Sequence, residues 1–111
     1  MSFDALSPGS RPGAVFFDRR ELDQILRLYG RMVAAGEWRD YAIDANGDAV
    51  VFSVFRRSAE APLYRIEKRP ALARRQGAWA VISQGGLIVK RAKELAQALR
   101  VFDKGRFSVV E

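Results

Sequence analysis

Ten basic side chains between positions 56 and 93 are the residues of this sequence best suited to chemistry. Arg56, Arg57, Arg65, Lys68, Arg69, Arg74, Arg75, Lys90, Arg91 and Lys93 are opposed in that window only by Glu60 and Glu67, a net of +8. The rest of the chain carries nine basic against eleven acidic residues, a net of −2, so the excess lies in one third of the sequence. Most of the ten are Arg, whose planar fork matches phosphate oxygens better than an ammonium does. The chemistry implied is low-specificity recognition of a polyanion such as a nucleic acid. The other reading is a solvated face, or a surface that docks an acidic protein. The whole-chain charge of +6 and a pI of 10.3 agree with either.

Other arrangements reduce to structure. Asp44-Ala45-Asn46-Gly47-Asp48 has the acidic spacing of a calcium loop. Such a loop also needs Gly at its sixth position and Glu at its twelfth, and Ala49 and Phe55 stand there. Gly85-Gly86 with Lys90 lacks the spacing and the Lys-Ser/Thr pair of a phosphate loop. Asp40, Asp44 and Asp48 fall at positions expected to be solvated. There is no His and no Cys, which removes the commonest general base, the usual hydrolase triads and the ligands of zinc and copper. No catalytic residue, cofactor or metal site is expected, and the chain is read as a non-enzyme.

The elements that must position these residues follow from periodicity. Positions 1–13, rich in Ser, Pro and Gly, are expected to form a disordered tail, with one domain over 14–111. Ala14-Val15-Phe16-Phe17 adds a short strand or docks on the core. Asp18 with Glu21 fits a capping box. A helix then runs to about Ala35, its stripe formed by Leu22, Ile25, Leu26, Tyr29, Met32 and Val33, with Gly36 at its end. Asp40–Ala45 and Asp48–Arg57 flank an Asn46-Gly47 turn, which sets Ile43 opposite Val50 and Tyr41 opposite Phe52. Tyr41, Ile43, Val50, Phe52 and Val54 form the core side; Ala42, Asp44, Val51, Ser53 and Phe55 form a mixed face.

A third strand, Leu63–Arg69, alternates Tyr64 and Ile66 with Arg65, Glu67 and Arg69 until Pro70 ends it. Gly77–Lys90 reads as a hairpin about Gly85-Gly86. A two-residue turn would put Ala80, Ile82, Leu87 and Val89 on one face and Trp79, Val81, Ile88 and Lys90 on the other. With both faces apolar, this hairpin is expected inside the sheet and covered on each side. A second helix is expected from Arg91 or Ala92 to Asp103, with Leu95, Ala98, Leu99 and Phe102 on its stripe. Gly105 closes it, and 106–110 offers one more strand. The fold class is therefore α+β: a helix, an antiparallel meander of four to five strands, and a helix, with both helices on one sheet face.

The segments Arg65-Ile66-Glu67-Lys68 and Trp79-Ala80-Val81-Ile82-Ser83-Gln84-Gly85-Gly86, with Phe17 through Trp38 and the 44–48 turn, resemble a small bacterial family known as domain of unknown function 2794. That resemblance spans most of the chain and brings no catalytic residues with it. In architecture alone, Trp79-Ala80-Val81 with the following hairpin and helix resembles the arm-type DNA-binding domains of phage integrases. The partners expected are a protein, a second copy in a homodimer, or a nucleic acid. No apolar run approaches the ~20 residues of a membrane helix. No secretory signal is read at the start, and a cytoplasmic location is expected.

Overall fold

The computed structural model describes residues 14–57 and 61–110, with side chains through position 103. The expected tail, 1–13, lies outside the described residues. Helix α1 spans Arg19–Ala34 and is followed by five strands: β1 Asp40–Ala45, β2 Val50–Phe55, β3 Tyr64–Lys68, β4 Trp79–Ser83 and β5 Ile88–Ala92. Helix α2, Leu95–Val110, ends the chain of elements. Every strand pairs antiparallel with its neighbour in sequence, in the order β1-β2-β3-β4-β5.

α1 begins where the capping pair predicts. Asp18 Oδ1 accepts the Glu21 N–H at 2.8 Å, and Glu21 Oε1 accepts the Asp18 N–H at 2.9 Å. Together these satisfy two of the donors that a helix start leaves free. Phe17, just before the cap, forms no strand. Its ring stacks on Trp79 at 6.1 Å, and so anchors the helix entry to β4. The apolar stripe of α1 is centred slightly off its expected line: Ile25, Leu28 and Met32 are buried, while Val33 is 40% exposed. Leu28 takes the inward place because the helix lies close to α2, whose Leu99 lines the same inter-helix groove.

The register fixes the two sheet faces. Tyr41 and Ile43 lie across from Val54 and Phe52, and these from Tyr64 and Ile66, then Ser83 and Val81. This is the face the helices cover. The pairing within the first hairpin is shifted by two residues from the expected one, Ile43 meeting Phe52 rather than Val50, because the turn holds four residues, 46–49. The face assignment is unchanged by an even shift. Phe52, Val54, Ile66 and Val81 are completely buried there with Trp38, which meets Phe102 edge-on at 5.2 Å. Burying a side chain such as Phe52 contributes about 1.5–3 kcal/mol.

The second hairpin departs from expectation. Gly86, at φ +89, ends a three-residue loop closed by bonds between Ser83 and Leu87 and between Ser83 and Gly86. That loop sets Ile82 opposite Ile88, and Val89 is then the extra residue of a bulge, beyond which Val81 meets Lys90 and Trp79 meets Ala92. Ile88 therefore shares the face of Ile82, not that of Trp79 and Val81. Among the described residues β5 is an edge strand rather than an internal one, because the chain turns at once into α2 and only β4 pairs with it. Arg91 and Ala92 belong to β5, so α2 starts later than expected. It also continues through Gly105, since one Gly weakens a helix by only about 1 kcal/mol. Positions 106–110 are accordingly helical and form no strand.

Candidate functional site

The face without helices is built from β3. Arg65, Glu67 and Arg69 alternate outward there, beside Val51, Ser53 and Phe55 of β2 and Ala80 and Ile82 of β4. Glu67 Oε2 accepts from Arg69 Nη2 at 3.1 Å, a bond that raises the Arg69 pKa above its ordinary value and holds the guanidinium along the strand. Arg91 lies in the same cross-sheet row as Ala80 and Glu67, and its Nη1 donates to the Gly77 carbonyl at 3.2 Å. Small Ala80 and Ser53 are buried between these longer side chains.

The ten basic residues do not form one patch. Arg56 and Arg57 sit past the end of β2 and line a surface hollow of ≈ 420 Å³ with Arg39 and Asp40. Arg56 is 3.8 Å from the Glu37 carboxylate. Arg69, Arg74, Arg75 and Lys93 lie past the opposite ends of β3, β4 and β5, about a strand length of 15–17 Å away. Arg65 stays on the open face and Lys90 on the β5 edge. Lys68 belongs to the helix face. Its Nζ is 2.7 Å from Glu21 Oε1 and 2.8 Å from the Phe16 carbonyl, and it lies 5.8 Å from the Trp79 ring. That ammonium ties the α1 entry to the sheet and is largely withdrawn from solvent.

A basic site that sequence reasoning missed lies between the helices. Arg27 and Arg31 of α1 face Arg100 of α2 across a groove of ≈ 490 Å³ floored by Leu28 and Leu99. Arg31 pairs with Asp103 at 3.7 Å. The spacing of Arg27 and Arg31 placed them on one helix face, but no pattern in the sequence joins them to Arg100.

The sheet edges carry a different signal. Tyr41 and Ile43 on β1 are 45% and 43% exposed, although they point to the core side. Tyr41 stacks on Phe52 at 4.8 Å and meets Tyr29 edge-on at 5.0 Å, so one side of its ring is packed. The Tyr29 hydroxyl donates to the Arg39 carbonyl; burial, with Asp40 and Tyr41 nearby, pushes its pKa up. At the other edge Leu87, Ile88 and Val89 are between 38% and 69% exposed. Asp40 and Asp44 lie four residues apart on β1 and Asp48 sits in the 46–49 turn, so the three do not converge. Among the described residues no group of acidic side chains is placed to hold a metal ion.

A family model described as protein of unknown function (DUF2794) matches residues 15–99. The chain belongs to that family. The match runs from the segment before α1 into the first turns of α2, so all five strands are family features. No curated protein matches the chain, and no solved structure does. The likeness to integrase arm-binding domains is thus one of element order alone, β3-β4-β5-α2, and fold order does not carry function. Among the described residues no helix is long and apolar enough to cross a membrane.

Proposed function

We propose that this chain is a small, non-enzymatic, cytoplasmic interaction domain that associates with itself or docks on a protein partner. The observation that carries this reading is the exposed apolar surface at both sheet edges: Tyr41 and Ile43 on β1, and Leu87, Ile88 and Val89 at β5. Single exposed apolar residues are ordinary on a protein surface, but neighbouring ones along an unpaired strand are an association signal. The test is sedimentation equilibrium of the full chain across tens to hundreds of micromolar. A mass that rises with concentration supports self-association. A constant monomer mass overturns self-association and leaves only a foreign protein as partner.

A second reading is favoured by one specific observation. Arg69, Arg74, Arg75 and Lys93 gather past one end of the sheet, where a polyanion could meet all four. If those four neutralise phosphates, log affinity for duplex DNA should fall with log salt at a slope of about −4. Changing Arg69 to Gln, which can still donate to Glu67, and Arg74 and Arg75 to Glu should abolish retention on heparin. It should leave the thermal transition nearly in place, since Arg74 and Arg75 are exposed and surface charges add little stability. Absence of salt-dependent binding by the wild-type chain to DNA, RNA or heparin overturns this second reading.

A further inference from the structure

We propose, building on the self-association role above, that the chain forms a two-fold dimer by pairing β1 with β1 of a second copy, antiparallel and centred on Ile43. The two edges of the sheet are not equivalent. β5 is broken by the Val89 bulge and carries Lys90 and Arg91, both features that discourage strand addition. β1 has neither. Its ladder with β2 is regular over all six residues, and all six are exposed.

The backbone of β1 has the phase for pairing. Asn46 donates to the Ala49 carbonyl at 3.0 Å, so with the two-residue alternation of an antiparallel ladder Asp44, Ala42 and Asp40 bond to β2. Tyr41, Ile43 and Ala45 then direct their N–H and C=O groups away from the sheet. The exposed rings and methyls of Tyr41 and Ile43 lie on the helix side of that edge, where Val33 stands one turn beyond Tyr29 on α1.

Charge selects the register and the occupant. A second β1 must pair odd residues with odd ones, so that both free backbone rows and both faces match. Centring on Ala42 would set Asp40 against the partner's Asp44. Centring on Asp44 would set that residue against the partner's Asp44 and Asp40 against the partner's Asp48. Like charges directly opposite destabilise a sheet. Centring on Ile43 avoids both: Ile43 meets the partner's Ile43, Tyr41 meets the partner's Ala45, and Asp44 meets the partner's Ala42. It also brings Arg39 opposite the partner's Gly47, next to the partner's Asp48, an attraction that the two-fold axis repeats. The acids of β1 are thus spaced for a second copy of the same strand, and two sheets join into one with every helix on the same side.

The full chain tests this directly, because it has no Cys of its own. Ile43→Cys should cross-link to dimer under mild oxidation, since residues opposed in a bonded pair lie about 5.5 Å apart at Cα, within disulfide reach. Ile43→Lys should halve the sedimentation mass and leave the thermal transition near wild type, and Ile88→Lys on the other edge should leave the dimer intact. A dimer that survives Ile43→Lys and does not cross-link overturns the β1 pairing alone, and self-association then runs through another surface. A wild-type chain that stays monomeric at every concentration overturns the dimer and self-association together.

Discussion

Replacing Gly77 by Ala should be the most damaging single methyl addition in the described chain. Gly77 joins the turn after β3 to the start of β4, directly beneath the end of β5. A Cβ there would lie 2.4 Å from both the carbonyl carbon and oxygen of Ala92 and 2.8 Å from the Lys93 nitrogen. Those are backbone atoms of a paired strand, so no rotamer change relieves the clash. The residue also sits at φ +109, which an L side chain tolerates at a cost of about 1–2 kcal/mol. Forced repacking adds about 1–3 kcal/mol, for a total near 2–5 kcal/mol against a typical domain stability of about 5–15 kcal/mol. Two glycines of the next turn separate these contributions. Gly86 has φ +89 and open space around it, so Gly86→Ala should show the conformational cost alone. Gly85 has open space and no positive φ, so Gly85→Ala should fall within about 0.5 kcal/mol of wild type or stabilise slightly. Urea titration followed by circular dichroism gives all three from their midpoints, provided the slopes agree. A Gly77→Ala protein no less stable than Gly86→Ala would refute the close approach of β5 to this turn.

Other perturbations address the core, the α1 entry and pH. Phe52→Ala should cost about 3–5 kcal/mol in the same titration, because Phe52 is fully buried between Tyr41, Tyr29 and the central strands. Lys68→Ala removes an anchor shared by Glu21 and the Phe16 carbonyl and should cost about 1–3 kcal/mol while leaving heparin retention unchanged. A Lys68→Ala protein of normal stability that loses heparin retention would return Lys68 to the surface. The raised pKa of Tyr29 favours its neutral form in the folded state. Its stabilising share is therefore complete below the ordinary tyrosine value of about 10 and is lost as pH rises through the higher folded value. Tyr29→Phe should flatten that alkaline fall in thermal midpoint, at the cost of the bond to the Arg39 carbonyl.

Local rules made most of the fold legible. The capping box of Asp18 and Glu21 and the alternation in β2 and β3 each specify an element with few residues, and the structure has them; a turn forms at Asn46-Gly47 as well, but with four residues instead of two. What local pattern does not specify is the exact count in a turn. Gly85-Gly86 is equally good chemistry for a loop of two residues or of three. The choice of three reverses the face of Ile88, and the Val89 bulge restores the phase only from Lys90 onward. The β-branched run near the end of α2 misled in a similar way. Val109 and Val110 favour strands, but they fall at the end of a segment already propagating as a helix from Leu95.

The site was less legible than the fold, for a reason rooted in the meander. Each strand sends alternate side chains to opposite faces, and each turn sends the chain back the other way. A run of basic residues across three strands is therefore divided by face and by end, which is how Lys68 came to lie under α1 while Arg69 lies outside. The charge window was contiguous only along the sequence. Edge position is hidden still more completely, because Tyr41 and Ile43 alternate with Ala42 and Asp44 just as a central strand would. Only the order of strands shows that β1 has a single neighbour. Once that is known, the same alternation acquires a second meaning: Asp40 and Asp44, four residues apart, disfavour the self-pairings centred on Ala42 and on Asp44, and of the others the one centred on Ile43 pairs the greatest length of the strand.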